Sequence, residues 1–358
     1  MTGDPETEFI RDFEPRTPLG ALARVRDRLI VDPLDAFADD TAEAIETQRA
    51  EALIFENLLL GCYVAGARAG IPTVSLVPNV FPGSVPGVPP FGMGLNARDD
   101  AIGRVRDRMA RRMGNRLWDR RLDEVNQALG NYEQPPLSTL FDIFDRPDRL
   151  LVLTSASFEI GGGVNAPPNV RYCGPRLEDP DWVEDWEEPE GRDPLILVAL
   201  STTTQGQAPM LDRIVDALGR LPVRGLVTTG PSFDPELMTI PENVKVVTSA
   251  PHSAVMSQAS VVITHAGHGT VMKALARGVP LLCLPVGRDQ PDTAARVVAC
   301  GAGLRLRPGA GAGAIAKAVD RLLTDPAFRE SALRMSEAIA ADRERDLAVQ
   351  EIEELTKS

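Results

Sequence analysis

Residues 261–290, VVITHAGHGTVMKALARGVPLLCLPVGRDQ, hold most of the side chains in this chain that could do chemistry. All three histidines, His252, His265 and His268, fall within or just before this stretch, and an Asp289-Gln290 pair closes it. The pattern predicts an apolar strand from Val261 to Thr264 and a tight glycine-containing turn from His265 to Gly269. A helix starting at Thr270, a second strand from Val279 to Leu284 and a polar turn from Gly287 to Gln290 follow. Such a turn leaves backbone N–H groups without partners at the positive end of a helix dipole. That makes an anion site, suited to phosphate or pyrophosphate.

Other readings of the turn fail on spacing. A dinucleotide fingerprint needs a third glycine where Met272 stands, and a P-loop needs a Gly-Lys-Ser/Thr run that is absent. The histidines have no cysteine or acidic residue at zinc-ligand spacing. Asp179-Pro180-Asp181 has the form of a metal motif but lies in a charged stretch rather than at the end of an apolar strand. No metal is therefore expected. What remains is a phosphate-binding turn with a carboxylate and an amide at the next strand end. Those are natural partners for sugar hydroxyls.

Strand and helix patterns alternate around this unit. Leu195 to Leu200, Val223 to Val227, Val244 to Val247 and Gly303 to Leu306 read as further strands. Ala208 to Leu218, His252 to Gln258 and Pro291 to Ala299 read as helices. Alternation of this kind means a parallel sheet covered on both faces, with ligands at the C-terminal strand ends. Ser201, Thr202, His265, Gly269, Asp289 and Gln290 all follow strand ends and are expected along one sheet edge.

The N-terminal half is less regular. Residues 1–20 read as a flexible lead-in, 33–50 as a helix, and Ala52 to Phe55 and Ile71 to Val77 as strands flanking a helix over 61–69. Leu150 to Thr154 and Val170 to Cys173 read as two more strands. The Pro/Gly-rich run 78–96 is long for a loop and suggests a lid or binding loop. Ile102, Val105, Met109, Met113 and Leu117 recur at helical spacing over 98–129 and are expected to mark the buried side of a helix or helix pair. The nine arginines from Arg98 to Arg121, interleaved with four aspartates, read as its solvated face. Residues 178–193 carry nine acidic residues and one basic one, and read as an interdomain linker.

The chain has 358 residues, room for two domains, with 43% hydrophobic and 25% charged residues. A net charge of −13 argues against nucleic acid as the main partner. The four cysteines, Cys62, Cys173, Cys283 and Cys300, form no CxxC pair and read as reduced thiols. No secretory signal is read at the start, and no apolar run suits a membrane helix, so no stable membrane insertion and a cytoplasmic location are expected.

The C-terminal motifs resemble the donor-binding half of nucleotide-sugar-dependent glycosyltransferases of the GT-B fold, which pair two Rossmann-like domains. The family pattern stands here as His265-Ala266-Gly267-His268-Gly269-Thr270, Gly278-Val279-Pro280, Asp289-Gln290 and Ala294-Ala295-Arg296-Val297. The resemblance is closest to the bacterial macrolide and antibiotic-type branch. It runs over about 45–358 and includes Ser201-Thr202 and Ala250-Pro251-His252. It implies an α/β chain with an acceptor domain over 1–177, a linker over 178–193, a donor domain over 194–340 and a C-terminal helix over 341–358.

The resemblance also implies roles. His265 would contact the donor diphosphate, with Gly267, Gly269 and Thr270 around it and Ser201 and Thr202 alongside. His268 would add a phosphate contact or cap the helix. Pro251 and His252 would face the nucleobase, and Asp289 and Gln290 would bind sugar hydroxyls. The acceptor, a small apolar hydroxylated molecule, would lie near Phe81, Phe91 and Met93. No cofactor is implied beyond the nucleotide sugar as co-substrate.

One family feature is missing. Members open with a strand and a turn carrying a histidine base, whereas this chain has no histidine before His252. The N-terminal domain is expected to lack about 60–80 residues of the usual Rossmann-like half. Glu56 occupies the place of the acidic residue that orients the base. A non-catalytic nucleotide-sugar-binding protein is the alternative reading. A sugar-nucleotide epimerase is disfavoured because Asp289 is the one obvious carboxylate near the sugar.

Overall fold

The computed structural model describes residues 18–179, 186–200, 208–230 and 239–357. The chain divides into two units, residues 1–174 with 342–358, and residues 175–341.

In the first unit, helices α1 (Pro18–Val25) and α2 (Leu34–Gln48) precede β1 (Leu53–Glu56), α3 (Leu60–Ala69) and β2 (Thr73–Val77). Helices α4 (Ala101–Trp118) and α5 (Leu122–Asn131) then lead to β3 (Arg149–Val152) and β4 (Val170–Tyr172). The second unit holds β5 (Leu195–Ala199), α6 (Ala208–Leu218), β6 (Arg224–Thr228), β7 (Val244–Val247), α7 (His252–Met256) and β8 (Val261–Thr264). It continues through α8 (His268–Ala276), β9 (Leu281–Cys283), α9 (Gln290–Ala299), β10 (Gly303–Arg305) and α10 (Ala312–Thr324). The division between units falls within α11 (Pro326–Arg345), and α12 (Leu347–Lys357) returns to the first unit.

Both sheets are parallel throughout, four strands in the order β1-β2-β3-β4 and six in the order β10-β9-β8-β5-β6-β7. Strands β5 and β8 sit centrally with every residue buried, as a sheet covered on both faces requires. In the first unit the period-2 alternation of β3 sends Leu150 and Val152 to one core and Leu151 to the other. That second core is closed by Ala348 of α12 against Val74, Leu151 and Cys173. Glu351 of the same helix is clamped by Arg149 at 2.6 Å and Arg171 at 2.7 Å.

Three expectations change. The last three residues of the run read as a lead-in, 18–20, open helix α1, the rest of that run lying outside the described residues; nearby Arg26 is buried, donating to the Leu117 carbonyl and pairing with Asp27. The described part of the acidic stretch is tied down by ion pairs, Asp179 to Lys273, Glu187 to Lys245 and Glu188 to Arg224. Helix α4 is turned the other way round from its expected orientation. Ile102, Val105, Met109 and Met113 are exposed, Leu117 is half-buried, and the buried positions are Gly103 and Ala110. Helical spacing identifies an apolar side but not its direction. Here the small pair, seven residues apart, faces inward, and the larger side chains face out.

Candidate functional site

Strand β8 pairs with β5 on one side and β9 on the other, with Thr264 opposite Ala199 and Cys283. The loops after β8 and β9 therefore leave one edge from adjacent strands. After Thr264 the chain turns sharply, and Ala266 adopts the left-handed region at φ 69°, a strained conformation for a non-glycine residue. The Thr264 hydroxyl accepts the Ala266 N–H at 3.2 Å and steadies this turn.

Gly267 is the N-cap of α8, so the helix begins at His268, two residues earlier than expected. The cap has no side-chain bond, and the first N–H bonded back into the helix is that of Val271, to Gly267 O at 3.1 Å. The amides of residues 268–270 thus have no acceptor within the helix. Among the described residues, nothing would stand within 4 Å of a Cβ placed on Gly269, so none of them fills the space beside these amides.

Two histidines flank Gly267 in the chain at the start of α8. His265 is 7% exposed and His268 8% exposed. Nδ1 of His265 and Nε2 of His268 are buried without a hydrogen-bond partner among the described residues. Burial pushes His265 down to about 4, helped by Arg288 and opposed by a hydrogen bond to the Ala199 backbone. Burial, with a contribution from Arg296, takes His268 to about 4 as well. Both imidazoles are neutral at pH 7, so each carries a single N–H; that of His265 is committed to the Ala199 carbonyl, while that of His268 can be presented to an anion. His268 is the first helical residue of α8 rather than its cap.

At the neighbouring strand end, Asp289 is half-buried, its carboxyl raised chiefly by burial, with Oδ2 3.4 Å from the Thr293 hydroxyl. Gln290 is almost fully buried, and its Oε1 accepts the N–H groups of Val286 at 2.9 Å and Gly287 at 3.1 Å. Its carbonyl oxygen therefore braces the turn that presents Asp289. On the other side of the sheet, His252 Nε2 lies 3.0 Å from the Thr228 hydroxyl, which donates to Val198 O. Burial lowers His252 to about 4 as well, with a smaller contribution from Lys273. Pro251 is the N-cap of α7. Ser201 and Thr202 lie outside the described residues.

The edge therefore runs in order from Asp289 after β9, through His265 after β8, to His252 after β7. Four strand spacings of about 4.8 Å make this roughly 19 Å, the scale of an extended nucleotide sugar. Sequence reasoning did not single out Arg288, whose charge reaches His265. A basic residue just before an Asp-Gln pair at a strand end was the available signal.

In the first unit, Phe91 lines a cavity of about 230 Å³ together with Arg111, Gly114, Thr139, Asp142 and Phe144. Met93 is half-buried and rests near Gly114. Phe81, expected at the acceptor, is instead a core residue, 3% exposed and edge-on to Phe144 at 6.1 Å. It directly follows Val80, itself buried, so the Pro/Gly-rich run passes through the core near its start. Glu56 ends β1, half-buried, accepting the Leu58 N–H at 2.8 Å, with burial raising its carboxyl.

Comparison with known proteins finds matching relatives. Residues 212–355 match the family described as erythromycin biosynthesis protein CIII-like, C-terminal domain. The 4'-demethylrebeccamycin synthase of Lentzea aerocolonigenes is 29% identical over 343 residues, 93% of this chain and 80% of that protein. A PGL/p-HBAD biosynthesis glycosyltransferase of Mycobacterium tuberculosis is 32% identical over 184 residues, 50% of this chain and 41% of its own length. Among solved structures, the calicheamicin glycosyltransferase CalG4 shares the fold with a TM-score of 0.75 at 21% identity, covering 99% of this chain and 84% of that one. The spinosyn rhamnosyltransferase SpnG, solved with thymidine diphosphate, superposes with a TM-score of 0.68 at 18% identity, covering 96% and 84%.

Proposed function

We propose that the chain is a member of the bacterial macrolide and antibiotic-type branch of the GT-B glycosyltransferases, and that it moves a hexosyl group from a UDP- or dTDP-sugar to a hydroxyl of a small apolar acceptor. The observation that carries this reading is the uncapped start of α8, with no described residue filling the space beside its amides and two neutral histidines each holding a ring nitrogen unbonded among the described residues.

The acceptor oxygen attacks the anomeric carbon, and the bond from that carbon to the β-phosphate oxygen breaks. The electron pair leaves with the diphosphate, whose added charge would meet the amides of 268–270 and the imidazole N–H of His268, with the His265 ring alongside. These donors are fixed before the reaction, so little reorganisation is needed as charge develops. No metal is required in this scheme, and attack opposite the leaving group inverts the anomeric centre. Asp289 would hold sugar hydroxyls, with Gln290 keeping its turn in place. His252 and Pro251 would lie at the nucleobase, and Phe91 and Met93 at the acceptor. The acceptor hydroxyl would release its proton to solvent water, since no histidine precedes His252; Glu56 holds the place of the acidic residue that orients the family's base.

Calorimetric titration with UDP and dTDP, for the wild type and His265→Ala, tests the donor site. Weaker binding by the variant supports it, and equal affinity refutes it. A transfer and hydrolysis assay on the purified chain distinguishes an enzyme from a nucleotide-sugar-binding auxiliary protein.

A further inference from the structure

The four large apolar side chains exposed on α4 stand out from the rest of the molecule. Ile102 is 68% exposed, Val105 53%, Met109 66% and Met113 53%. They account for four of the nine large hydrophobic residues exposed among the described residues, and all four lie on one helix. Their spacing, i, i+3, i+7 and i+11, makes one stripe along a helix of 18 residues, about 27 Å long.

The charges around the stripe are equally uneven. Helix α4 carries six arginines and one aspartate, a net of +5 from 6 − 1, in a chain of net charge −13. Several arginines in this region are engaged: Arg98 with Asp100, Arg106 with Asp107, and Arg111 with Ser84 and Val88 O. Arg108, Arg112 and Arg116 are exposed, recur every four residues beside the apolar stripe, and have no hydrogen-bond or ion-pair partner among the described residues.

We propose that this face of α4 docks reversibly on an anionic lipid surface. Apolar side chains flanked by long basic ones are the arrangement that lies in the plane of a bilayer interface. The stripe enters the acyl boundary while the guanidinium groups reach back to lipid phosphates. Unpaired arginines at regular spacing suit the diffuse negative potential of such a surface, and the net negative charge elsewhere turns this face toward it. A second copy of the chain fits less well, because a two-fold contact would press arginine against arginine. Nucleic acid would leave the apolar stripe unaccommodated. No helix among the described residues is long and apolar enough to span a membrane, so the docking is peripheral. This inference is independent of the donor site and stands or falls separately from the proposed transfer reaction.

The test is co-sedimentation of the full chain with phosphatidylcholine vesicles, with and without about 30 mol % phosphatidylglycerol. Binding should require the anionic lipid and fall with added salt. The triple variant Arg108→Gln/Arg112→Gln/Arg116→Gln and the double variant Met109→Ser/Met113→Ser should each lower affinity by about tenfold or more while keeping the wild-type Tm. Fluorescence of a Met109→Trp variant should be quenched by brominated lipid, and that of a Val164→Trp control should not. Absence of binding to anionic vesicles at low salt overturns the proposal. So does unchanged binding by either multiple variant, competition by duplex DNA with the Met109→Ser/Met113→Ser variant unimpaired, or dimerisation without lipid that these substitutions abolish.

Discussion

The imidazole of His265 lies directly over Gly267: a Cβ on that glycine would stand 2.5 Å from Nε2. Ring and N-cap are therefore one unit, with the glycine serving a close approach rather than an unusual backbone angle. Gly267→Ala should displace the ring, lower stability by about 1–3 kcal/mol, and weaken nucleoside diphosphate binding. Thermal unfolding and calorimetry read both effects.

Gly269 makes the complementary case. Its position is helical with no described residue within 4 Å of an added Cβ, so Gly269→Ala should leave Tm unchanged or raise stability by up to about 1 kcal/mol. The added methyl would nevertheless stand in the space over the amides and weaken donor binding. A variant that is as stable as wild type but binds UDP or dTDP less tightly separates the site from the fold. Unchanged affinity would argue that the ligand does not approach this amide.

Stability should depend on pH through the three histidines. In the unfolded chain each titrates near the ordinary value of about 6.5, whereas His252, His265 and His268 are held at about 4 in the folded state. Between those values the unfolded chain binds more protons, so stability falls as pH drops below about 6.5 and the loss levels off below 4. By pH 5 each histidine contributes a loss of about 2 kcal/mol. Denaturant unfolding across this range should show the slope, and His268→Asn should flatten it.

Gln290 should behave as a brace. Gln290→Ala strips the acceptor from two backbone N–H groups, at about 1–3 kcal/mol, and loosens the turn that carries Asp289. The KM for the sugar donor should rise while affinity for the free nucleoside diphosphate stays near wild type. Asp289→Asn should act the same way without the stability loss. Steady-state kinetics beside calorimetry distinguish the two.

The return of α12 to the first unit makes a prediction of its own. Glu351→Ala leaves Arg149 and Arg171 without their shared carboxylate, whose side chain is 10% exposed. A loss of about 1–3 kcal/mol is expected, read as a lowered Tm with nucleoside diphosphate affinity unchanged.

The second unit was largely legible in the sequence because buried parallel strands are continuous apolar runs: Val261 to Thr264 and Leu195 to Ala199 announce themselves. The pattern predicts a helix starting at Thr270, yet Gly267 caps it from outside and His268 lies within. Helical periodicity found the apolar side of α4, but its direction depended on which neighbours offered space, and Gly103 and Ala110 allowed the closer approach. Phe81 shows that a proline- and glycine-rich run can still supply a core side chain. A polar pair such as Asp289-Gln290 marks a site without revealing which member touches ligand and which holds the loop.

The most direct test is a crystal structure of the chain with UDP or dTDP bound. The pyrophosphate should lie within hydrogen-bonding distance of the Gly269 and Thr270 amides, beside the His265 ring. A nucleotide bound with its phosphates away from the start of α8 would contradict the account.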